Sequence, residues 1–346
     1  MKLSVAMVEL LIQEVKTSEV DYLIDLSKKA LNDSPWFQEK KLFCPNKAEE
    51  LRCIKNTLLD DQNKSWKVET EEILCGLLTT RKMGKLLRIG SGDREPAILK
   101  EYRTMKIGCA LIQEAYTFSQ DERLAGIFTT FKSPLNARFE ADYHFNLYQK
   151  AGMKLTSKIV QFGVKMKYLP RYYDKRITFE RAKLDDLDLV VDLILNAFES
   201  NKKFQYDPLT NNAVEVRNFQ KVWLGSESDS KGIIAYFNGH PVGYCGYKAP
   251  IKKNPPCGLL GIIGVVPAYQ KKNIGKAMIQ KFHNDLIEQG FRYAFVGTSV
   301  YNLPALNLYT SMGYHPVYHL FFFYRVKQAA NLPIIVDRYS LGSDSF

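Results

Sequence analysis

Ile262-Ile-Gly-Val-Val-Pro-Ala-Tyr-Gln-Lys-Lys-Asn-Ile-Gly-Lys-Ala277 is the stretch that decides the fold. The apolar run from Leu259 to Val266 predicts a buried strand, because it has the length of a strand and is rich in Val and Ile. Pro267 ends the strand, since proline cannot donate a hydrogen bond to a sheet. Apolar residues then recur at helical spacing up to Gly290, which suits a helix end. We therefore predict a strand, a tight turn and a helix.

The start of the predicted helix has the features of an anion site. Helix N-termini carry unpaired N–H groups and a partial positive charge, so they bind phosphates. Gly275 would let the backbone approach a ligand closely. Lys271, Lys272 and Lys276 add positive charge at the same place. Neither GxxxxGK[ST] nor GxGxxG occurs here, so a P-loop and a dinucleotide fold are not supported.

Two motifs in this half of the chain resemble one known family. Val266-Pro267-x-x-Gln270-x-x-Asn273-x-Gly275 resembles the acyl-CoA loop of the GNAT superfamily of N-acetyltransferases, with Asn273 at the first Gly position of that loop. Asn tolerates the left-handed backbone region better than most residues. Asn302-Leu-Pro-Ala-x-x-Leu-Tyr309-x-x-x-Gly313-Tyr resembles the later GNAT motif and follows at the family's usual distance.

The resemblance implies an acyl-CoA site and a role for each matching residue. Main-chain groups of Val265 and Val266 would contact the pantetheine arm, and Asn302 would hydrogen-bond to it. Tyr309 would be the general acid, because a phenol is protonated at neutral pH and can donate to a leaving thiolate. The full set of implied acyl-CoA contacts is Val265, Val266, Gln270, Lys271, Lys272, Asn273, Ile274, Gly275, Lys276 and Asn302.

The sequence does not show a general base. No acidic residue lies between Leu259 and Val266, where many relatives have a Glu. A water relay remains open, as do four side chains: Tyr244, Tyr247, Thr298 and Ser299. We interpret His283, on the predicted helix, as a surface residue.

The two motifs have weaker copies earlier in the chain. Ile107-Gly108-Cys-Ala-Leu-Ile-Gln matches Ile274-Gly275-Lys-Ala-Met-Ile-Gln, 167 residues apart, and Leu147-Tyr-x-x-x-Gly152 matches Leu308-Tyr-x-x-x-Gly313, 161 apart. Paired matches in the same order indicate an internal duplication. We predict a mixed-sheet α/β fold of two tandem GNAT-like domains, residues 1–170 and 171–346.

The first copy departs further from the family. Lys106 stands at the first Gly position, Ala141 replaces Asn302 and His144 replaces Ala305. We expect the fold to persist there and acyl-CoA binding to be weakened or lost. A working first site stays open, because Arg103 fits the Gln/Arg position of the loop and Lys106 and Gly108 could still meet phosphate.

Composition fits a globular protein with a polyanionic ligand. Hydrophobic residues make up 46% of the chain and charged residues 25%, which is ordinary for such a protein. The net charge of +11 comes from scattered basic residues, so we do not expect nucleic-acid binding. Six cysteines without CxxC or Cys–His spacing predict no metal and no disulfide framework. With no membrane-length apolar run or signal peptide, we expect a cytoplasmic protein.

The leading hypothesis is acyl transfer from acetyl-CoA, or another acyl-CoA, to a small primary amine by direct attack. An amino-acid N-acyltransferase that uses a longer acyl-CoA is one alternative. A non-catalytic CoA-binding sensor or scaffold is another, because no carboxylate precedes the loop. The sequence leaves the oligomeric state open.

Overall fold

A computed structural model describes residues 10–32, 47–60, 63–70, 73–83, 85–90, 95–135, 138, 142–168, 174–199, 213–225, 230–249 and 256–327. The chain forms two compact units. Within the described ranges, unit 1 comprises the residues from 10 to 158 together with 318–327, and unit 2 comprises residues 159–317.

Unit 1 is a mixed sheet with four described helices. Its strands are β1 (Leu11–Glu14), β2 (Ser65–Thr70), β3 (Ile73–Met83), β4 (Leu86–Ile89), β5 (Ala97–Ile98), β6 (Gly126–Pro134) and residues 318–326 of β13 (His315–Val326). Its helices are α1 (Val20–Leu31), α2 (Lys47–Leu59), α3 (Met105–Asp121) and α4 (Tyr143–Lys150). The short β5 pairs with β3.

Unit 2 repeats the elements of unit 1 in the same chain order, with two exceptions. Its strands are residues 159–165 of β7 (Lys154–Lys165), β8 (Ile177–Ala182), β9 (Ser230–Phe237), β10 (His240–Lys248), β11 (Cys257–Val265) and β12 (Tyr293–Ser299). Within the described ranges it lacks a counterpart of β5, and its β7 comes first in the chain, whereas β13 of unit 1 comes last. Its described helices are α5 (Leu187–Glu199), α6 (Ala213–Gly225), α7 (Ile274–Glu288) and α8 (Leu303–Ser311).

The two sheets have the same strand order. Unit 1 runs β1-β2-β3-β4-β6-β13, and unit 2 runs β8-β9-β10-β11-β12-β7. In both, the first four strands are antiparallel, the fourth and fifth are parallel, and the last is antiparallel. The predicted mixed α/β fold is confirmed. The sequence motifs did not reveal that the last strand of each sheet comes from the other copy.

Local sequence signals agree with the structure at several elements. Asn-Gly is a pair typical of hairpin turns, and Asn238 and Gly239 form the turn of the β9–β10 hairpin, with φ of 51° and 77°. The aromatic run Leu320–Tyr324 is buried within β13. The domain division at residue 170 stays a prediction, and part of the segment around it (169–173) lies outside the described residues.

The sheet of unit 2 separates two apolar cores. On one face, α7 packs through Ala277, Met278 and Phe282 against Phe162 and Val296. On the other face, α5 packs against Ile234, Tyr244 and Ile262. Burial of both faces explains why the strands at the centre of this sheet are predominantly apolar.

Candidate active site

A cleft opens in unit 2 where two parallel strands separate. β11 and β12 pair only from Cys257–Leu260 to Tyr293–Val296. Gly261 is then an extra residue in β11, because Tyr247 pairs with Leu260 and Gly246 with Ile262. Such a β-bulge bends a strand and ends regular pairing. Beyond it, β11 pairs only with β10 and β12 only with β7, so the space between the two strands is free of backbone pairing.

The cleft leads into a cavity of about 860 Å³, a size typical of small-molecule sites. Its wall includes most of the residues singled out in the sequence: Val265, Gln270, Lys271, Asn273, Ile274, Gly275, Lys276, Asn302 and Tyr309. Val266 and Lys272 are not among the lining residues. The sequence analysis missed other wall positions, including Phe198 on α5 and Gly297 on β12. Phe198 gave no sequence signal, since it reads as an ordinary apolar position of its helix.

The N-terminus of α7 presents free amides beside this cavity. In the described part of the chain, none of the backbone amides of residues 271–276 donates to a backbone carbonyl; the first that does is Ala277, to Asn273 O at 3.0 Å. Lys271 and Asn273 both have left-handed backbone angles, with φ of 63° and 61°. Backbone turns of this kind direct successive N–H groups into an anion-binding concavity. The exposed Lys271 and Lys276 add charge there.

Three predicted contact residues have internal partners. The Gln270 side chain donates from Nε2 to Val265 O at 3.0 Å, which fixes the turn after β11. The Val266 N–H donates to Val242 O at 2.9 Å, so this amide is not free for a ligand. The Lys272 ammonium lies 4.6 Å from the centre of the Tyr269 ring, a cation–π contact.

On the other side of the cavity, the Asn302 side chain forms two hydrogen bonds within the protein. Its Oδ1 accepts from Ala305 N at 3.4 Å and caps α8. Its Nδ2 donates to Thr298 Oγ1 at 3.0 Å, so the side chain links α8 to β12. Thr298 also lines the cavity, and its hydroxyl oxygen accepts this bond.

Tyr309 lies between the cavity and a buried polar pair. Its side chain is 4% exposed and packs against the rings of Phe162 and Tyr314, at 6.1 and 5.9 Å between centroids. Behind it, His283 Nε2 and the Tyr314 hydroxyl are hydrogen-bonded at 2.8 Å. Burial lowers the pKa of His283 to about 4, so this imidazole is neutral at pH 7.

The interpretation of His283 as a surface residue is wrong, because its side chain is 2% exposed. The signal was present in the sequence. His283 lies four residues after Ile279 and three before Leu286, which places it on the buried face of α7. Burial without a charged partner is tolerated because the neutral imidazole is hydrogen-bonded to Tyr314.

Two candidate bases are excluded by their contacts. Tyr244 is buried and donates to Gln220 Oε1 at 2.9 Å. Tyr247 donates to Asp285 Oδ2 at 3.2 Å, and burial raises its pKa far above the usual range. Neither lines the cavity, and neither does Ser299. No Asp, Glu or His occurs among the cavity-lining residues in the described part of the chain.

In unit 1, the residues that correspond to the cavity residues of unit 2 have internal partners. Tyr148, the counterpart of Tyr309, donates to Glu95 O at 2.6 Å, and His144 Nε2 is 3.1 Å from Pro96 O. A Cβ at Gly108 would be 2.6 Å from both Leu147 Cδ atoms. The sequence-based idea that Arg103 meets phosphate is not supported, because its guanidinium is bonded to Ile98 O and Ala30 O.

Comparison with known proteins gives the family of this site. Residues 194–314 match the model of the acetyltransferase (GNAT) family. The spore coat polysaccharide biosynthesis protein SpsD of Bacillus subtilis (strain 168) is 24% identical over 157 residues, 44% of this chain. The match spans about half of that relative, 52% of its length.

Solved structures share the fold over most of the chain. A GCN5-related N-acetyltransferase from Sphaerobacter thermophilus has a TM-score of 0.64 at 14% identity, with 94% of this chain and 98% of that chain covered. A tandem GNAT protein from the clavulanic acid biosynthesis pathway has a TM-score of 0.59 at 14% identity, with 92% and 98% covered. The chain thus has the fold of tandem GNAT proteins, and residues 194–314 match the GNAT acetyltransferase family model, in agreement with the resemblance that the sequence motifs showed.

Two further observations concern membrane-spanning helices and metal-ligand groups in the described residues. None of the described helices is long and apolar enough to cross a membrane. No group of three or more His, Cys, Asp and Glu side chains in the described ranges could hold a metal ion.

Proposed function

We propose that this protein transfers an acetyl group from acetyl-CoA to the primary amine of a small molecule, at the cleft of unit 2. The carrying observation is the row of free amides at residues 271–276, which opens onto a cavity between two separated strands. Acyltransferase activity is the general property of the family. The acetyl donor, the amine acceptor and the residue roles below are parts of this proposal.

The donor would enter with its pyrophosphate at the α7 N-terminus. The amides and the helix dipole stabilise the phosphates, and the ammonium groups of Lys271 and Lys276 add direct charge. The pantetheine arm would then follow the gap between β11 and β12. Gly261 and Gly264 of β11 line this part of the cavity, and a Cβ at Gly264 would be 2.8 Å from Ala197 Cβ of α5.

The chemistry needs a neutral amine and a protonated leaving group. The amine nitrogen attacks the thioester carbonyl, and the tetrahedral intermediate collapses with cleavage of the C–S bond. The electron pair of that bond goes to sulfur, and the Tyr309 hydroxyl donates its proton to the thiolate. The products are an amide and CoA. The amine loses one proton to solvent, and the Tyr309 phenolate takes one proton back from solvent, so the reaction balances.

The proton of the amine has no side-chain acceptor on the cavity wall in the described residues, since no carboxylate or imidazole lies there. We therefore expect water to take this proton. The rate with a low concentration of amine should rise with pH until the amine itself is mostly neutral.

Release of CoA tests the proposal. The protein would be incubated with acetyl-CoA and a panel of primary amines, amino sugars, amino acids and polyamines, with detection of free thiol. Amino sugars belong in the panel because the curated relative is named for polysaccharide biosynthesis. Turnover with at least one amine supports acetyl transfer. A parallel series of longer acyl-CoA donors would detect an amino-acid N-acyltransferase instead.

A CoA-binding sensor is the second candidate, favoured by the same lack of a carboxylate on the described cavity wall. Tight acetyl-CoA binding in calorimetry, together with no thiol release with any amine, would support the sensor and contradict acetyl transfer.

A further inference from the structure

Gln161 is a buried polar residue whose side-chain amide nitrogen has no hydrogen-bond partner within the protein. It lies on β7 and pairs with Gly297 of β12. Its side chain is 4% exposed, and its Nε2 is shielded from water without any hydrogen-bond partner. A buried donor that is left unpaired costs folding free energy, so such groups are rare in native proteins. An unpaired amide of this kind points to a partner that binds later.

The side chain of Gln161 lies over a position that lines the cavity. A Cβ at Gly297 would be 2.8 Å from Gln161 Oε1, so only glycine leaves room for this amide. Gly297 is the first residue of β12 beyond its last pair with β11, and it lines the cavity wall. Gln161 is not itself among the cavity-lining residues, so its amide lies next to Gly297, at the edge of the place where the cleft begins.

The amide is on the face of the sheet opposite to the proposed phosphate site. The neighbours of Gln161 and Gly297 in the strands, Phe162 and Val296, pack in the core beneath α7. Since side chains alternate along strands, Gln161 projects to the face covered by α5. At this face, Gly264 of β11 lies against Ala197 and Phe198 of α5. A donor held at the α7 N-terminus thus leaves this side of the cleft for the second substrate.

We propose that Gln161 binds the acceptor amine and donates a hydrogen bond from Nε2 to a hydroxyl or carboxylate oxygen of that molecule. This inference rests on the proposed acetyl transfer. It gives the acceptor a chemical class, a primary amine that also carries an oxygen within reach of the amide. A purely apolar amine would leave Nε2 unpaired and would bind less well.

The first test needs no acceptor and compares two glutamines. Gln161→Met keeps the size of the side chain and removes the unpaired amide. Gln220→Met removes an amide that is bonded to Tyr244. In the absence of substrates, we expect Gln161→Met to leave Tm unchanged or raise it by about 1–3 °C. The Tm of Gln220→Met should fall. A clear fall for Gln161→Met would show a structural role and overturn the proposal.

The second test measures kinetics with acetyl-CoA and three amines: glucosamine, glycine and cyclohexylamine, which lacks oxygen. In Gln161→Met, KM for the better oxygen-bearing amine should rise about tenfold relative to that for cyclohexylamine, as expected for one lost hydrogen bond. The Kd for acetyl-CoA should not change. An equal loss with all three amines, or weaker acetyl-CoA binding, would overturn the acceptor role alone.

The two proposals can fail separately. If the unchanged protein releases no CoA with these amines or with the wider panel, acetyl transfer is contradicted and the acceptor role falls with it. If the unchanged protein is active and Gln161→Met keeps its preference between amines, acetyl transfer stands and Gln161 has no part in acceptor binding.

Discussion

Gly275 lies in the first turn of α7, where the backbone faces both the cavity and α8. A Cβ there would be 3.3 Å from Leu308 Cδ2, which is tight but open to adjustment. Gly275→Val adds two further methyl groups at this turn and would crowd the phosphate site. We expect acetyl-CoA affinity to fall by at least about tenfold, the equivalent of 1.4 kcal/mol, as measured by calorimetry.

Gly225→Val is the matched control, because Gly225 ends α6 on the surface with only ordinary contacts to Leu184. Its affinity for acetyl-CoA should equal that of the unchanged protein. Unchanged affinity in Gly275→Val would remove the α7 N-terminus from the proposed site.

Tyr309→Phe removes one hydroxyl and keeps the ring that packs against Phe162 and Tyr314. If the hydroxyl protonates the leaving thiolate, kcat should fall by about a hundredfold or more, because general acid catalysis is typically of that size. The Kd for acetyl-CoA should change less than about threefold. If kcat were the same in Tyr309→Phe and in the unchanged protein, Tyr309 would be excluded as the acid. If the affinity for acetyl-CoA fell as much as kcat, Tyr309 would be a contact residue for the cofactor.

At the scale of elements, α7 is tied to the residue before β13 by the His283–Tyr314 bond. The folded-state pKa of His283 is about 4, against an ordinary value of 6.5. Between these values the unfolded chain binds more protons, so the free energy of unfolding falls as pH drops from 6.5 to 4. The loss from this group is at most about 3 kcal/mol. Denaturant unfolding at a series of pH values measures it.

His283→Gln supplies the comparison, because glutamine keeps a neutral polar group near Tyr314 and does not titrate. This variant should lose less stability between pH 6.5 and 4 than the unchanged protein. Identical pH slopes in the two proteins would show that His283 is not the group responsible.

The strand–turn–helix at residues 257–288 could be predicted because its signals are local. Pro267 marks the end of the strand. The helical spacing of apolar residues in α7 marks the helix and its buried face. The left-handed angle of Lys271 could not be predicted, since lysine has no preference for that region and the turn imposes it. The partner of Gln270 also depends on the folded turn, because its amide reaches back to Val265 O.

Across the whole molecule, the duplication could be predicted from Gly108 and Gly275, but the source of the last strands could not. β7 and β13 are both strands of twelve residues, and no local pattern indicates which sheet each will join. Pairing between distant segments is decided by tertiary packing. The bond from Tyr148 to Glu95 O could not be predicted either, since it joins residues that are distant in the sequence.

The internal partners of the unit 1 residues predict the stoichiometry of binding. Tyr148 and His144 are each within hydrogen-bond distance of a backbone carbonyl oxygen, and Leu147 lies close to Gly108. Calorimetric titration with acetyl-CoA should give one site per chain. Gly108→Val should leave that number at one, although it will cost stability. A stoichiometry of two would mean that unit 1 binds as well.

The placement of β7 predicts which shortened chains keep the second unit intact. Residues 154–346 retain β7, which pairs with β12 along seven residues from Ile159 to Lys165. Residues 171–346 lack it and expose the edge of β12 together with the side of Tyr309 that Phe162 covers. We expect acetyl-CoA binding and cooperative thermal unfolding only in the longer of the two. Equal behaviour of both would contradict the need for β7.

The exchange of last strands also determines how long β6 lacks its strand partner while the chain is being synthesised. β6 is complete once residue 134 has been synthesised, yet its antiparallel neighbour, residues 318–326, is synthesised much later. The edge of β6 that pairs with β13 stays unpaired while nearly two hundred further residues are translated. At a usual rate of about 5–20 residues per second, this interval lasts on the order of ten to forty seconds. A nascent chain stalled before residue 318 is therefore the form most exposed to chaperones and to wrong pairing.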